Sequence, residues 1–288
     1  MRIICKYVCC CVVWFLVCAS CVNENRAAQS SVSLRDSSLS EVEELAEDEE
    51  SYEENMRRMV ARLVKSVKDG NAAEFASLCR YPIERAYPLH DIVDSADMVC
   101  RYVQIFDDEI RNAVSRSKKE DWGGINWKGY TLDDGSWLWI DDDVYQIPYH
   151  SKAEKKQREE LIKKDLATLP SGFAKGWYPE VCLLDTVSDM VYRIDVREKD
   201  SQATECRLMA YGKEMPLNGK PKFVISGHKE LQGSAGTRCY LFPRGNEPDW
   251  MICDYWYESE IELYIDPDSD MTDTHGLKKA YWLDLIEE

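Results

Sequence analysis

The stretch VCLLDTVSDMVYRIDVR, residues 181–197, decides the fold of the second half of the chain. It reads as two apolar strands joined by a short polar turn. In its second part Tyr192, Ile194 and Val196 alternate with charged residues, and this alternation predicts a strand with one buried face. The stretch therefore indicates β-structure in the second half of the chain.

Strand-like runs recur on both sides of this stretch at spacings of eight to twelve residues. Turn signals such as Asn218-Gly219 and Gly245-Asn246 separate them. This spacing is typical of an all-β sandwich or barrel, which we predict for residues 177–288. The predicted strands are Val181–Thr186, Val191–Arg197, Glu205–Ala210, Phe223–Ser226, Arg238–Pro243, Met251–Tyr257, Glu260–Asp266 and Ala280–Ile286.

Helix signals precede strand signals in residues 55–150, which predicts an α+β arrangement there. A first helix is indicated by apolar residues at three- and four-residue spacing: Met56, Met59, Val60, Leu63, Val64 and Val67. Asn71 and Asp94 are predicted to cap two further helices, and Asp107 a fourth. A meander of three strands should follow: Ile125–Leu132, Ser136–Ile140 and Val144–Tyr149.

A charged helix is predicted between the two halves, within a linker of residues 151–176. Oppositely charged residues lie four positions apart, as in Glu154 and Arg158, and this order favours ion pairs along an exposed helix face. Pro170-Ser171-Gly172 should end the helix.

The order of elements in residues 55–150 resembles that of small bacterial envelope proteins of the nuclear-transport-factor-2-like superfamily. The resemblance implies a cone fold, in which N-terminal helices wrap a curved antiparallel sheet around a pocket. The second half is similar to a β-module that ends such exported proteins, through KPKFVISG (220–227), LQGSAGTRCYLF (231–242) and ELYI (262–265). The first resemblance is carried by Tyr81-Pro82, Ile105-Phe106-Asp107, Trp127 with Gly129, and Gly135 with Trp137 and Trp139.

The N-terminus has the features of an export signal. Arg2 and Lys6 precede the apolar run Tyr7–Val17, and this run is far shorter than the ~20 residues that a membrane-spanning helix needs. The next residues, Cys18-Ala19-Ser20-Cys21, resemble the lipobox of bacterial lipoproteins, which implies a lipid on Cys21. Secretion without a lipid is the alternative.

These features predict a location in the bacterial cell envelope. Residues 1–21 would be a signal peptide, and residues 22–54 a polar and acidic tether to the membrane. The lipid-anchored protein would face the periplasm or the cell surface. The formal net charge of −17 argues against nucleic-acid binding, because such a chain repels a phosphate backbone.

Six cysteines lie beyond the signal, and an oxidising compartment permits disulfides among them. Cys79 with Cys100 would link two early helices, and the other four allow three pairings. Buried free thiols are the alternative. The six are Cys79, Cys100, Cys182, Cys206, Cys239 and Cys253.

Two groups of residues are candidates for binding. Aromatic residues of the first half could line a pocket or a docking surface: Tyr81, Tyr102, Trp127, Tyr130, Trp137 and Trp139. Carboxylates that alternate in DPDSDMTD (266–273) could wrap a calcium ion, and the alternative is a polar hairpin loop: Asp266, Asp268, Asp270 and Asp273. The sequence predicts no other cofactor.

The favoured function is that of a lipid-anchored binding protein, without an assigned activity, for an unknown protein or small molecule. One alternative is an immunity or inhibitor protein that neutralises a toxin or hydrolase in the periplasm. The other is an isomerase- or hydrolase-like enzyme of the cone fold, with Asp107 or Asp108 as the base.

Overall fold

Eight antiparallel strands in the second half of the chain close into a barrel in the computed structural model. Each strand pairs with the next one along the sequence, and the last strand returns to pair with the first. The barrel that the strand spacing predicts is therefore confirmed. The strands are β5 (Tyr178–Asp185), β6 (Met190–Asp200), β7 (Ala203–Gly212), β8 (Phe223–Gln232), β9 (Thr237–Phe242), β10 (Trp250–Tyr255), β11 (Glu260–Ile265) and β12 (Asp273–Ala280).

The structure describes seven ranges of the chain: residues 36–124, 129–200, 203–212, 219–233, 236–255, 260–269 and 273–287, with side chains from residue 52 onward apart from residues 198–203. Tyr52–Glu288 forms one compact unit. Among the described residues, no helix has an apolar stretch long enough to cross a membrane.

Side chains fill the interior of the barrel. Tyr192 and Ile194 point inward, as their alternation predicts, and pack with residues of other strands such as Leu208 and Phe242. Eight strands enclose little more room than such side chains occupy. Gly227 is required where β8 meets β9, because a Cβ atom there would lie 2.0 Å from the carbonyl oxygen of Leu241.

A second apolar layer covers the outside of the barrel. Cys182, Met209 and Tyr211 lie on the outer face of β5 and β7 and are fully buried. They pack with Trp282 from α6 (Trp282–Glu287). This second layer explains why the stretch at 181–184 is apolar at every position instead of alternating.

The predicted last strand, Ala280–Ile286, is wrong. β12 comes earlier in the chain, and most of the predicted segment is the helix α6. A short apolar run satisfies either structure. In the helix, the Trp282 side chain is fully buried and its indole N–H donates a hydrogen bond to Thr168 Oγ1 at 2.7 Å. These contacts favour the helix over the strand.

The first half of the chain combines helices with a small sheet, in agreement with the predicted mixture of helix and strand. Four antiparallel strands of two or three residues pair in sequence order, and they are shorter than the predicted ones. The elements are α1 (Asp36–Lys68), α2 (Ala72–Ser77), α3 (Ser95–Ile105), α4 (Asp108–Arg116), β1 (Trp122–Gly124), β2 (Tyr130–Leu132), β3 (Trp139–Ile140) and β4 (Val144–Gln146).

The predicted helix caps are confirmed. The side chain of Asn71 accepts a hydrogen bond from the backbone N–H of Glu74, and that of Asp94 from Asp97. Asp107 caps α4 in the same way. Each cap satisfies backbone N–H groups that have no partner inside their helix.

Two predictions about exposed segments need correction. Residues 36–54, predicted as a tether, belong to α1, because nothing in this glutamate-rich stretch breaks a helix. The linker helix, α5 (Lys152–Ala167), is not only a surface helix. Its Glu154 is fully buried against Arg85 and does not pair with Arg158. Arg158 donates instead to the carbonyl oxygen of Tyr87.

Candidate functional site

An apolar groove with a volume of about 780 Å³ runs between α1 and the β1–β2 strand pair. We call it the α1 groove. Its lining residues on α1 extend from Glu53 to Lys68, and Asp69 follows the end of the helix. At a rise of ~1.5 Å per residue this segment covers about 22 Å of helix, so the groove is elongated.

The helical wall of the groove comes from the apolar stripe of α1. Met56, Val60 and Val64 recur at four-residue spacing and therefore lie on one face of the helix. Met56 is buried, whereas Val60 and Val64 are only half-buried. The same stripe also supplies Leu63 to the core of the first half, so it faces both the core and the groove.

The opposite wall contains two aromatic side chains on neighbouring strands. The indole N–H of Trp122 donates to Ser117 Oγ at 3.1 Å, and this hydroxyl donates to the carbonyl oxygen of Val114 at 2.8 Å. Tyr130 follows Gly129, which has a φ of 83°. Any side chain at residue 129 would collide with the β3 backbone. The hydrogen bond orients the Trp122 ring, and the close approach of Gly129 to β3 fixes the backbone next to Tyr130.

Basic side chains outnumber acidic ones around the groove. The five basic residues are Arg57, Lys65, Lys68, Lys118 and Lys119, and the two acidic ones are Glu53 and Asp69. This local excess of positive charge lies in a chain whose net charge is −17.

Three lysines of this rim have no ion-pair partner within the described part of the chain: Lys68, Lys118 and Lys119. Lys65, in contrast, pairs with Asp69, and this hydrogen bond raises the pKa of the lysine. Lys65 and Lys68 also lie in the last turn of α1, where positive charge complements the helix dipole. The arrangement can hold a molecule with an apolar body and a negatively charged group.

The structure does not bring the predicted aromatic pocket residues together. Of those residues, Tyr130 lines the α1 groove. Tyr81 lines a separate cavity of about 290 Å³, and Tyr102 is buried in the core between Phe75 and Phe106.

The two described tryptophans of this set lie at β3 and just before it. Trp137 and Trp139 are half-buried, while Leu138 and Ile140 are fully buried. Trp137 packs against the core and stacks on Tyr149 at 5.0 Å between ring centroids. The alternation in the sequence therefore agrees with the alternation of burial over residues 137–140, although the observed strand has two residues only. Three other predicted site residues lie outside the described residues: Cys21, Trp127 and Asp270.

Asp107, the candidate catalytic base, has a structural role. Burial alone would raise the pKa of its carboxyl group, but hydrogen bonds from Tyr149 Oη and from the backbone of Lys152, Ile110 and Glu109 outweigh burial and lower the pKa. A carboxylate whose acceptor sites are occupied in this way is poorly suited to take a proton.

The described part of the acidic loop, residues 266–269, follows β11, and Asp273 begins β12. Asp266 adopts a φ of 58°, and its backbone N–H donates to the carbonyl oxygen of Asp249. No cluster of three or more histidine, cysteine or acidic residues suited to a metal ion occurs among the described residues, and Asp268 and Asp273 form none with Asp266.

Two of the six cysteines come into contact. Cys239 and Cys253 face each other on β9 and β10, with their sulfur atoms 2.9 Å apart. Cys182 and Cys206 lie in different apolar layers, one outside and one inside the barrel. All six are free thiols in this structure, including the exposed Cys100 and the half-buried Cys79.

A charged cluster at one end of the barrel could not be predicted from the sequence. Arg238 pairs with Asp254 at 2.8 Å and with Glu84 at 2.6 Å, although Glu84 and Arg238 are 154 residues apart. Burial raises the pKa of Asp254 to about 6, and this effect exceeds the opposing effect of Arg238. No local sequence pattern predicts these contacts, because each partner lies on a different structural element.

The chain matches no protein family, no curated protein and no solved structure. The function must therefore be inferred from the groove and its surroundings.

Proposed function

We propose that this protein is a lipid-anchored binding protein of the bacterial envelope, and that the α1 groove takes an elongated molecule with an apolar chain and an anionic head. The observation that carries the proposal is the combination of apolar walls with a basic rim. The volume of about 780 Å³ is within the range of ~300–1,000 Å³ that ligand pockets occupy.

The shape and charge of the groove favour a fatty-acid-like ligand. A hydrocarbon chain would lie along the wall formed by Met56, Val60 and Val64, where it is removed from water. The negatively charged head would approach Lys118 and Lys119, which are exposed and unpaired in the described part of the chain. A compact polar ligand would leave most of this apolar wall without a partner.

The envelope location belongs to the same proposal and rests on residues 1–21 of the sequence. A lipid on Cys21 would place the groove near a membrane, which is a source of acyl chains. Replacement of Cys21 by Ser should abolish labelling by a fatty-acid precursor in cells. Persistent labelling of the variant would contradict lipidation at this residue.

The likeness to nuclear-transport-factor-2-like proteins is part of the proposal as well. In this proposal, helices α1–α4 would wrap the four short antiparallel strands as the helices of a cone do. The α1 groove would then be the open pocket of that cone. The occupied carboxylate of Asp107 disfavours an enzymatic role that uses this residue as the base, which leaves Asp108 as the other candidate base. An inhibitor role rests on the net charge alone.

Binding of palmitate to the mature chain without its lipid-bearing first residue Cys21, that is residues 22–288, tests the proposed function. We expect one palmitate per chain in native mass spectra. Hexadecanol, which has the same chain without the charge, should bind at least ~10-fold more weakly. Equal binding of palmitate and hexadecanol would show that the basic rim does not contribute to affinity. The absence of any palmitate adduct would contradict the proposal.

Two matched valine variants place the ligand in the groove. Val64→Glu introduces a negative charge into the apolar wall and should weaken palmitate binding by at least ~10-fold. Val103→Glu makes the same change on the exposed surface of α3, where the valine is 74% exposed, and should leave binding unchanged. Equal effects of the two substitutions would show that palmitate does not bind in the groove.

A further inference from the structure

A small cavity remains where the first half of the chain covers one end of the barrel. Its volume is about 300 Å³, and we call it the mouth cavity. Residues of β9, β10 and β12 line it from the barrel side, and Glu84 and Gln146 line it from the other side. A neighbouring cavity of about 290 Å³ shares both of these residues.

Charged side chains enter the mouth cavity from the barrel interior. Arg238 and Asp254 lie two residues from the inward-facing Tyr240 and Ile252, so they share the inner face of their strands. Lys279 joins them from β12 and pairs with Asp91 at 2.8 Å. Groups of both signs therefore meet at this end of the barrel.

Two buried polar atoms at the mouth cavity have no hydrogen-bond partner among the described residues. They are Gln146 Oε1, which is an acceptor, and Arg238 Nε, whose N–H is a donor. A single nitrogen of the Arg238 guanidinium, Nη2, pairs with both Glu84 and Asp254. A buried polar atom without a partner loses its hydrogen bonds to water and gains none in return, so native proteins rarely leave one unsatisfied.

These two atoms require complementary partners in one small space. Gln146 Oε1 requires a donor, and Arg238 Nε requires an acceptor. The carboxylates of Glu84 and Asp254 favour a cationic group beside Gln146, whereas Lys279 and Arg238 favour an anionic one. The volume is at the lower limit for ligand pockets, which restricts the occupant to a small molecule.

We propose that the mouth cavity binds a small zwitterion of amino-acid size. Its ammonium group donates to Gln146 Oε1, and its carboxylate accepts from Arg238 Nε. This site is separate from the α1 groove, since the two share no lining residue. The proposal therefore does not depend on the ligand of the groove.

Calorimetric titration of the mature chain with glycine, L-glutamate and L-lysine tests the proposal. At least one of these amino acids should bind with a Kd below ~1 mM. Acetate and methylamine each carry one of the two charges and should produce no saturable heat. If ordered water alone satisfies the two polar atoms, no amino acid should bind at concentrations up to ~10 mM. That result would overturn the proposal.

Variants of Gln146 test whether the measured heat comes from amino-acid binding in the mouth cavity. Gln146→Met keeps the length of the side chain but removes its acceptor, and Gln146→Asn keeps the amide on a shorter stem. Both should weaken amino-acid binding by at least ~10-fold. Gln157→Met removes an exposed amide on α5 and should leave binding unchanged. Unaltered affinity in both Gln146 variants, with circular dichroism showing a folded chain, would refute the assignment.

Discussion

Replacement of Glu154 by Gln should destabilise the protein strongly, although the two side chains have almost the same shape. Glu154 and Arg85 are both fully buried, with no exposed side-chain surface. One carboxylate oxygen accepts from Arg85 Nε at 2.9 Å, and the other accepts from Nη2 at 2.5 Å. The substitution removes the negative charge and one of these two acceptors, while the positive charge of Arg85 stays buried.

The expected loss of stability depends on the hydrogen bonds that Arg85 retains in the variant. Its guanidinium still donates to the carbonyl oxygens of Ile147 and Tyr149, so its donors are not all lost. Breaking a buried ion pair by removing one partner costs ~3–5 kcal/mol. With the remaining amide oxygen as an acceptor, we expect a loss near the lower limit, about 3 kcal/mol.

Urea unfolding at pH 7, followed by circular dichroism, measures this loss. With an m-value of ~2–3 kcal/mol per molar urea, the midpoint should fall by about 1–1.5 M. Glu159→Gln changes an exposed glutamate on the same helix and should alter stability by less than ~0.5 kcal/mol. A loss below ~1 kcal/mol for Glu154→Gln would refute the reasoning, because the pair would then contribute no more than a surface contact.

Three further predictions concern stability and the thiols. Burial raises the pKa of Asp254 from 3.8 to about 6, so the folded state binds a proton more tightly than the unfolded state. The resulting stabilisation is complete below pH 3.8 and is lost as the pH rises through 6. Between pH 4 and pH 7 the wild type should therefore lose about 2.4 kcal/mol relative to Asp254→Asn, and a constant difference in urea unfolding would contradict this. Cys239 and Cys253 face each other on paired strands and should form a disulfide in an oxidising buffer. Peptide mass spectrometry that finds both thiols alkylated without reduction would contradict this. Asp94→Ala should cost ~1 kcal/mol in thermal or urea unfolding because it removes the cap of α3, and an unchanged midpoint would show that the cap contributes nothing.

Local features of this fold are readable from the sequence. The caps Asn71, Asp94 and Asp107 depend on a side chain and a backbone N–H within three residues, so their pattern is visible in the chain. The recurrence of strands at short intervals likewise predicts a barrel or sandwich, since neighbouring strands pair in sequence order. The strand prediction for residues 280–286 is wrong because a short apolar run fits a helix as well as a strand.

The candidate sites depend on contacts that a sequence pattern does not contain. The stripe of Met56, Val60 and Val64 predicts one apolar face of α1, but not that part of this face borders a groove. The position of that groove depends on Trp122 and Tyr130, which lie more than fifty residues further along the chain. The mouth cavity likewise needs Gln146 and Arg238 side by side. Periodicity indicates which face is apolar, and only the packing of distant elements determines what covers it.

The most direct test of the central claim is an NMR titration of the mature chain, labelled at its methionine methyl groups, with palmitate. The Met56 side chain lines the α1 groove, whereas Met209 is buried on the outer side of the barrel. We predict that palmitate shifts the Met56 signal in a saturable way and gives nuclear Overhauser contacts between the acyl chain and that methyl group, while the Met209 signal stays in place. An unshifted Met56 signal at saturating palmitate, or a shift confined to methionines of the barrel, would contradict the claim that the groove is the binding site.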